Sequence, residues 1–549
     1  MKEYFFLFLW AAGMFFSLGP FEYSGAGFLS AVFLVSAVQN LEKHSYYRVL
    51  ALSAAASFFC TFICFPWITS GLANLSGIRI EFSFLIVLIF SFVMQFKMYA
   101  FFISCRILFP YFPENHRVWV VGLAAFTVDK YVFQIFPWHF GDMSAGSSLF
   151  RELAFYFGVN GISFFIFFPA SFTVFLFRKY IQKTEISSLK ELWPISAVLM
   201  TITVLIFFKK SVPQGISGRL LALALQTNTE LGLKSGSMEA SAGKALNESF
   251  SLALKALYSG QYVPDLIIFP ETAVPFLNTE PFQRNYSPTF HGIILYLSSL
   301  SGADIAWNEP YAEKNGTVNS LAHFSHHSKT KQRYEKNLLV PFGESLPLSE
   351  SFPFLNSLFP ESSKYVRSEN RIMPKIFYKK SYKEKDYINL NEINAEMLQR
   401  PSEILNYVPR REDYAETDYI PLLCYESLFP DYVRSFTEKS QPGFLLSLAN
   451  DSWFGNYLEN WQHETGARFR AVESGRAFIR VTLTGVTSVI LPDGSSVHPL
   501  GSAKQDFGFY EIPLYTGKTV FYRFPAVMEI ICCIILVFAF RNRLMKAKH

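Results

Sequence analysis

Leu422-Leu423-Cys424-Tyr425-Glu426 runs an apolar stretch directly into a thiol and a carboxyl group. It holds the only cysteine in the polar middle of the chain, because Cys60, Cys64, Cys105, Cys532 and Cys533 all lie in apolar regions at the two ends. A lone cysteine cannot staple its own region, and no CxxC or Cys/His spacing points to zinc. Two earlier segments share the design: Ile267-Ile268-Phe269-Pro270-Glu271, and Glu335-Lys336-Asn337-Leu338-Leu339-Val340-Pro341-Phe342-Gly343-Glu344. Short continuous apolar runs of this kind suit strands buried on both faces of a sheet covered by helices. Reactive groups at strand ends converge over one edge of such a sheet. From about Gly218 to Tyr515 the chain therefore reads as an α/β domain, with helix-like stretches such as Ala240–Ser259 and His463–Arg476 between the strands.

The residue types carry a definite chemistry. The nucleophilic form of cysteine is the thiolate. A carboxylate such as Glu271 takes the thiol proton, while an ammonium such as Lys336 favours the thiolate and then the oxyanion of a tetrahedral intermediate. Backbone N–H groups ahead of an expected helix at Pro430–Glu438 offer a second oxyanion site. Spacing alone leaves open whether the three groups meet. Taken singly, each also fits a solvated loop or ordinary core packing.

Outside this middle the sequence is apolar. Of 549 residues half are hydrophobic, 60 are Phe and only 17% are charged, bunched in a way a soluble domain does not show. A net charge of +5, spread along the chain, gives no basis for nucleic acid as a partner. Seven apolar runs precede the domain: Tyr4–Leu18, Gly27–Leu41, Leu50–Ile68, Phe82–Cys105, Val118–Trp138, Leu153–Phe177 and Leu192–Phe208. An eighth, Phe524–Phe540, follows it. The first run leads into Gly19-Pro20-Phe21-Glu22 without a small-x-small site, and so reads as a retained anchor. Lys and Arg collect in alternate loops (Lys43 and Arg48; Arg106 and Arg117; Arg178, Lys179, Lys183 and Lys190) and in the tail at Arg541, Arg543, Lys546 and Lys548. By the positive-inside rule both termini face the cytoplasm and the domain lies on the periplasmic side of a cell inner membrane, against the vote of Lys209 and Lys210. The expected organisation is a membrane bundle over 1–212, the α/β domain over 213–518 and a last transmembrane helix with a basic tail over 519–549. Lys97 is expected to snorkel, and Asp129 and Lys130 to serve the polar interior of the bundle.

The phrases "FPETAVPF", "EKNLLVPFGE" and "CYESLFP", with Asn450–Thr482 after them, resemble the apolipoprotein N-acyltransferase family, whose ectodomain belongs to the nitrilase (carbon–nitrogen hydrolase) superfamily. Phe136-Pro137-Trp138 and Gly158-Val159-Asn160-Gly161 are weaker echoes. The resemblance implies a nitrilase-like αββα sandwich on a polytopic helical membrane bundle, working without metal or cofactor. It makes Glu271 the general base, Lys336 the stabiliser of the intermediate and Cys424 the nucleophile. Glu344 would support Lys336, and Tyr425 and Glu426 would shape the pocket beside the thiol. The implied partners are a phospholipid acyl donor, phosphatidylethanolamine, and the α-amino group of a diacylglyceryl-cysteine at a lipoprotein N-terminus. The sequence departs from the family pattern at Ser235, where a Trp is usual, and at Leu483-Thr484 before Gly485.

Two rival readings stand beside this one: a membrane-tethered amidase with the same triad, and a non-catalytic lipoprotein-binding relative. His463 reads as a helix-start packing residue rather than a metal ligand. The stretch 345–420 reads as a long inserted arm. Its apolar part (Phe352, Phe354, Leu355, Leu358, Phe359) is placed to dip into the bilayer, and its lysines (Lys379, Lys380, Lys383, Lys385) to meet anionic headgroups.

Overall fold

The computed structural model describes residues 1–182, 215–229, 238–259, 263–273, 286–314, 316–346, 349, 351–352, 365–380, 413–438, 440–455 and 457–546. The apolar run Leu192–Phe208, Ser235, Phe354, Leu355, Leu358, Phe359, Lys383 and Lys385 lie outside the described residues.

The N-terminal region is helical. Its elements are α1 (Lys2–Ser17), α2 (Ala26–Val38), α3 (Tyr46–Phe59), α4 (Ile68–Ser76), α5 (Ile80–Phe90), α6 (Phe96–Leu108), α7 (Arg117–Tyr131) and α8 (Ser148–Ile181). They share one apolar core, which Met528 and Cys532 of the helix Val527–Lys546 join. Among the described residues two helical segments are long and apolar enough to cross a membrane: Tyr46–Cys64, where α3 continues into a π turn, and α8. Large apolar side chains such as Phe5, Phe82, Ile89 and Phe177 stay exposed on this region.

Two expectations need correction here. Phe82–Cys105 is not one helix: the chain breaks between α5 and α6, and the buried Ser57 hydroxyl serves backbone groups on both sides of the break. It donates to Ser91 O at 2.5 Å and accepts from Gln95 N at 3.1 Å. Nor does Lys97 snorkel. It is fully buried and ion-paired with Asp129 at 2.8 Å, its ammonium 3.4 Å from the Trp138 ring centroid. Asp129 in turn accepts the Phe140 N–H at 2.7 Å and the Ser163 hydroxyl. A buried charge needs a partner, and this one has found it inside the bundle.

From Ile216 onward the chain builds two six-stranded sheets among the described residues. The first has the order β14 (Asp506–Tyr515), β1 (Ile216–Gln226), β2 (Leu266–Ile268), β3 (Asp304–Asn308), β6 (Ser320–Phe324), β7 (Lys331–Glu335). The second runs β13 (Ser496–Val497), β12 (Ser488–Ile490), β11 (Ala477–Thr482), β10 (Phe444–Ala449), β9 (Tyr414–Leu423), β8 (Lys375–Lys379). A small hairpin of β4 (Tyr311–Glu313) and β5 (Gly316–Val318) stands apart. The central strands β1, β2, β3 and β9, β10, β11 are parallel, which is why they read as unbroken apolar runs. The sheets pack face to face: Leu220, Ala222 and Ile268 of one share a core with Ile420, Leu422 and Leu446 of the other. Helices Met238–Ser259 and Tyr286–Ser301 cover the outer face of the first sheet.

Helix Tyr457–Ser474 covers the second sheet and faces the bundle with its other side. Ala467 and Ala471, one turn apart, enter the sheet core, while Phe469 and Val472 enter the bundle core. Polar pairs fix the junction: Arg468 to Glu22 at 2.7 Å, and Trp67 Nε1 to Gln462 Oε1 at 2.8 Å. At Gly158 the backbone of α8 turns to φ 66°, which glycine adopts without strain. The break frees the Val159 N–H, which donates to Glu473 Oε1 at 2.7 Å.

The reading of 345–420 as an arm is corrected at its described C-terminal part. Lys375–Lys379 pairs antiparallel with Tyr414–Asp418, and Ile376 and Tyr378 lie in the core between the sheets. Lys379 therefore sits in a sheet strand, its N–H bonded to Asp265 Oδ1 at 3.2 Å. Ile376 and Tyr378 alternate with more exposed residues along this strand, a period-two pattern that the lysines around it mask in the composition.

Candidate active site

Three strands end at one place. Phe269 and Pro270 carry β2 on to Glu271, β7 delivers Lys336, and β9 delivers Cys424. All three side chains are buried. Lys336 Nζ lies 3.5 Å from Glu271 and 2.8 Å from Glu344, so one ammonium faces two carboxylates. Asn319 Nδ2 donates to both acids, at 3.0 Å to Glu271 and 2.9 Å to Glu344. The other Glu271 oxygen accepts the Asn450 N–H at 3.1 Å, and the second Glu344 oxygen accepts the Val340 N–H at 2.9 Å. Both carboxylates are thus held rigidly by fixed donors.

Electrostatics set the resting protonation. Burial pushes the Glu271 carboxyl above its usual range; Lys336 pulls it down and Glu344 pushes it up again. Burial alone would weaken the Lys336 ammonium, but the two carboxylates reverse this and keep it charged. The Cys424 thiol is pushed well up by burial and by the negative charge of Glu271, against the pull of Lys336. At neutral pH it is a thiol that needs a base beside it.

Cys424 occupies φ 48°, a left-handed conformation that costs a residue with a side chain about 1 kcal/mol. Glu426 holds that turn. Its Oε2 accepts Leu423 N at 2.9 Å and the Tyr334 hydroxyl at 2.7 Å. Its Oε1 accepts Asn337 N at 2.7 Å and Leu338 N at 3.1 Å. Glu426 therefore does not line the pocket; it ties the Cys424 turn to the segment after Lys336. Tyr425 does line it, and its hydroxyl donates to Ile135 O of the bundle at 2.6 Å.

A cleft opens between the bundle and the sandwich, with Cys424 in its wall. Leu18, Phe65, Trp67, Phe136, Trp138 and Phe454 make it predominantly apolar. Facing the thiol is a polar cluster of Asp451, Glu459, His463 and Arg480, of which the sequence singled out only His463, as a helix-start packing residue. Arg480 grips Asp451 at 2.6 and 2.9 Å and donates to His463 Nδ1 at 2.9 Å. The Nε2–H of His463 then points to Ser427 Oγ at 3.0 Å and Cys424 O at 3.2 Å. Burial and then the Arg480 charge hold His463 below its ordinary range, whereas Asp451 falls to about 2 because the Arg480 charge outweighs its burial. Ligand atoms of Cys424, Asp451 and His463 lie within 4.8 Å of one another, but a cation there would compete with the Arg480 guanidinium for two of the three. His463 is a support of the Cys424 turn. At the family departures, Leu483 O accepts Asn228 N at 2.9 Å and Thr484 O accepts Ala503 N at 2.7 Å, so both residues pin neighbouring loops through their backbone.

A family model described as carbon-nitrogen hydrolase matches residues 245–518. Apolipoprotein N-acyltransferase 1 of Leptospira interrogans is 30% identical, with 96% of this chain and 94% of that protein covered. Apolipoprotein N-acyltransferase 2 of the same species is 27% identical over 68% of each chain. Apolipoprotein N-acyltransferase of Haemophilus influenzae is 26% identical, covering 92% of this chain and 88% of that one. A carbon–nitrogen hydrolase sandwich joined to a helical bundle, with identity of this extent running through both, makes the chain a member of the apolipoprotein N-acyltransferase family.

Proposed function

We propose that the protein takes an acyl chain from a membrane phospholipid onto Cys424 as a thioester and passes it to the N-terminal α-amino group of a diacylglyceryl-cysteine lipoprotein. The observation that carries this reading is the cleft itself: an apolar slot, walled by helices with lipid-like exposed faces, that reaches the one buried thiol at a strand end. A small polar amide would find few partners along such walls, whereas acyl chains gain from apolar burial at roughly 0.8 kcal/mol per CH₂.

In the first half-reaction Glu271 takes the thiol proton as sulfur attacks the ester carbonyl. The oxyanion that forms is stabilised by the Lys336 ammonium. Collapse breaks the C–O bond, and Glu271 returns its proton to the departing glycerol oxygen, leaving lysophospholipid and acyl-Cys424. In the second, the neutral amine attacks the thioester carbonyl, Glu271 removes its proton, and the C–S bond breaks to restore the thiol. Glu344 and Asn319 hold Lys336 and Glu271 in place throughout. The bundle spans the inner membrane in several passes with both termini in the cytoplasm, so that the sandwich lies on the periplasmic face where both lipid substrates reach the cleft. Phosphatidylethanolamine is the donor expected. The test is purified protein in liposomes with phospholipid labelled in its acyl chain: label should appear on Cys424 as a hydroxylamine-sensitive adduct and move to an added diacylglyceryl-cysteine peptide. Absence of label on Cys424 while the peptide is acylated would overturn the thioester route.

A further inference from the structure

Two acids outside the triad and its supports line the cleft: Asp142, which accepts the His139 N–H at 2.7 Å, and Glu459. Glu459, in the first turn of the helix Tyr457–Ser474, is 5% exposed and lines the same cleft as Cys424. Its neighbours are already committed: Asp451 and Arg480 neutralise each other, and His463 takes its hydrogen bond from Arg480. His463 Nδ1 lies 3.6 Å from Glu459 Oε1, too far for a hydrogen bond. Oε2 is buried and accepts no hydrogen bond among the described residues. A buried carboxyl oxygen without a donor is costly unless something entering the cleft supplies one.

We propose that Glu459 is a binding residue for a primary ammonium group that enters the cleft beside Cys424. The proposal rests on the acyl-transfer reading above and adds the recognition of charge to it. A primary ammonium is the group that fits: it brings three N–H donors, and it supplies the positive charge that Glu459 needs once ionised, because the Arg480 charge is already paired with Asp451. Burial first, and then the charge of Asp451, hold the empty carboxyl well above its ordinary range, so it rests as the acid and ionises when a cation arrives. Both lipid substrates of the proposed reaction carry such a group, the donor in an ethanolamine headgroup and the acceptor at its N-terminus.

Glu459→Gln, which keeps shape and removes the charge, is to be measured in the two half-reactions separately in liposomes. If the headgroup is the ligand, acylation of Cys424 from phosphatidylethanolamine should slow about tenfold or more, with the rate from phosphatidylglycerol unchanged. If the acceptor amine is the ligand, acylation should be normal with both lipids, and transfer from preformed acyl-enzyme to the peptide should slow by a similar factor. In either case Glu459→Asp should recover part of the loss. Unchanged rates in every arm, or equal losses with both lipids and in transfer, would overturn the ammonium site. Failure of the unmodified protein to label Cys424 at all would instead overturn the acyl-transfer reading.

Discussion

Glu426 Oε1 accepts the backbone N–H of Asn337 at 2.7 Å, so a buried carboxylate spans the gap between the turn that carries Cys424 and the residue following Lys336. With Leu423 N on its other oxygen, the same side chain fixes the relative position of two of the three strand ends. Glu426→Gln places an NH₂ group against backbone N–H donors. It should lower the acylation rate by about 10- to 100-fold and the stability by about 2 kcal/mol. Thermal melting in detergent and single-turnover labelling of Cys424 check both numbers; a normal rate with normal melting would remove the bridging role.

Cys424→Ala should abolish the acyl-enzyme and all transfer to the peptide while changing stability by no more than about 1 kcal/mol. Alanine keeps the Cβ and meets the same φ of 48°. Measurable transfer by the purified variant would show that the thioester is not on the path.

The pH dependence follows from the direction of the Glu271 shift. Burial raises its pKa, and the base form is the one that accepts the thiol proton, so acylation should decline as the pH falls through a value above the usual ~4.5 of a glutamate. Glu344 is one of the groups raising it. Glu344→Gln removes that negative charge, leaves Lys336 to favour the Glu271 carboxylate, and should move the acid limb to lower pH. A limb that stays fixed or moves up in a pH series of single-turnover rates would contradict the assignment.

Lys97→Met leaves Asp129 buried without its cation and should destabilise the bundle by about 3–5 kcal/mol. Lys97→Met with Asp129→Asn removes both charges and should recover a large part of that loss. Because Lys97 also holds the Trp138 carbonyl and ring, the single variant should loosen the Phe136–Trp138 wall of the cleft, read as faster proteolysis there. Equal stability of the single and double variants would mean the pair carries little energy.

Topology is checked by reporter fusions. Fusions at His549 and near Lys183 should report cytoplasm, and one after Asn315 should report periplasm. The reversed pattern would overturn the orientation read from the loop charges.

The three strand-end phrases were legible in the sequence because each is a local signal: an apolar run that a parallel, doubly covered strand requires, stopped by a polar group at the sheet edge. The apolar character of the ends was legible for the same reason, since hydropathy is a property of contiguous residues. Only the tertiary structure decided what lies across from the thiol. Asn319 comes from a connection in the first sheet, and Asp451, Glu459, His463 and Arg480 from a turn, a helix and a strand within Asn450–Thr482; that stretch marks the family, but not which of its groups face the thiol. The same holds for Lys97, whose partner Asp129 is 32 positions away on another helix, and for Ser57, which satisfies the break between α5 and α6. Lys375–Lys379 was hidden behind its own charges until Tyr414–Asp418 paired with it. Local patterns fix where a strand ends and which group stands there. Which groups then face one another depends on sheet order and on the packing of the bundle against one helix, both set by contacts far apart in the chain.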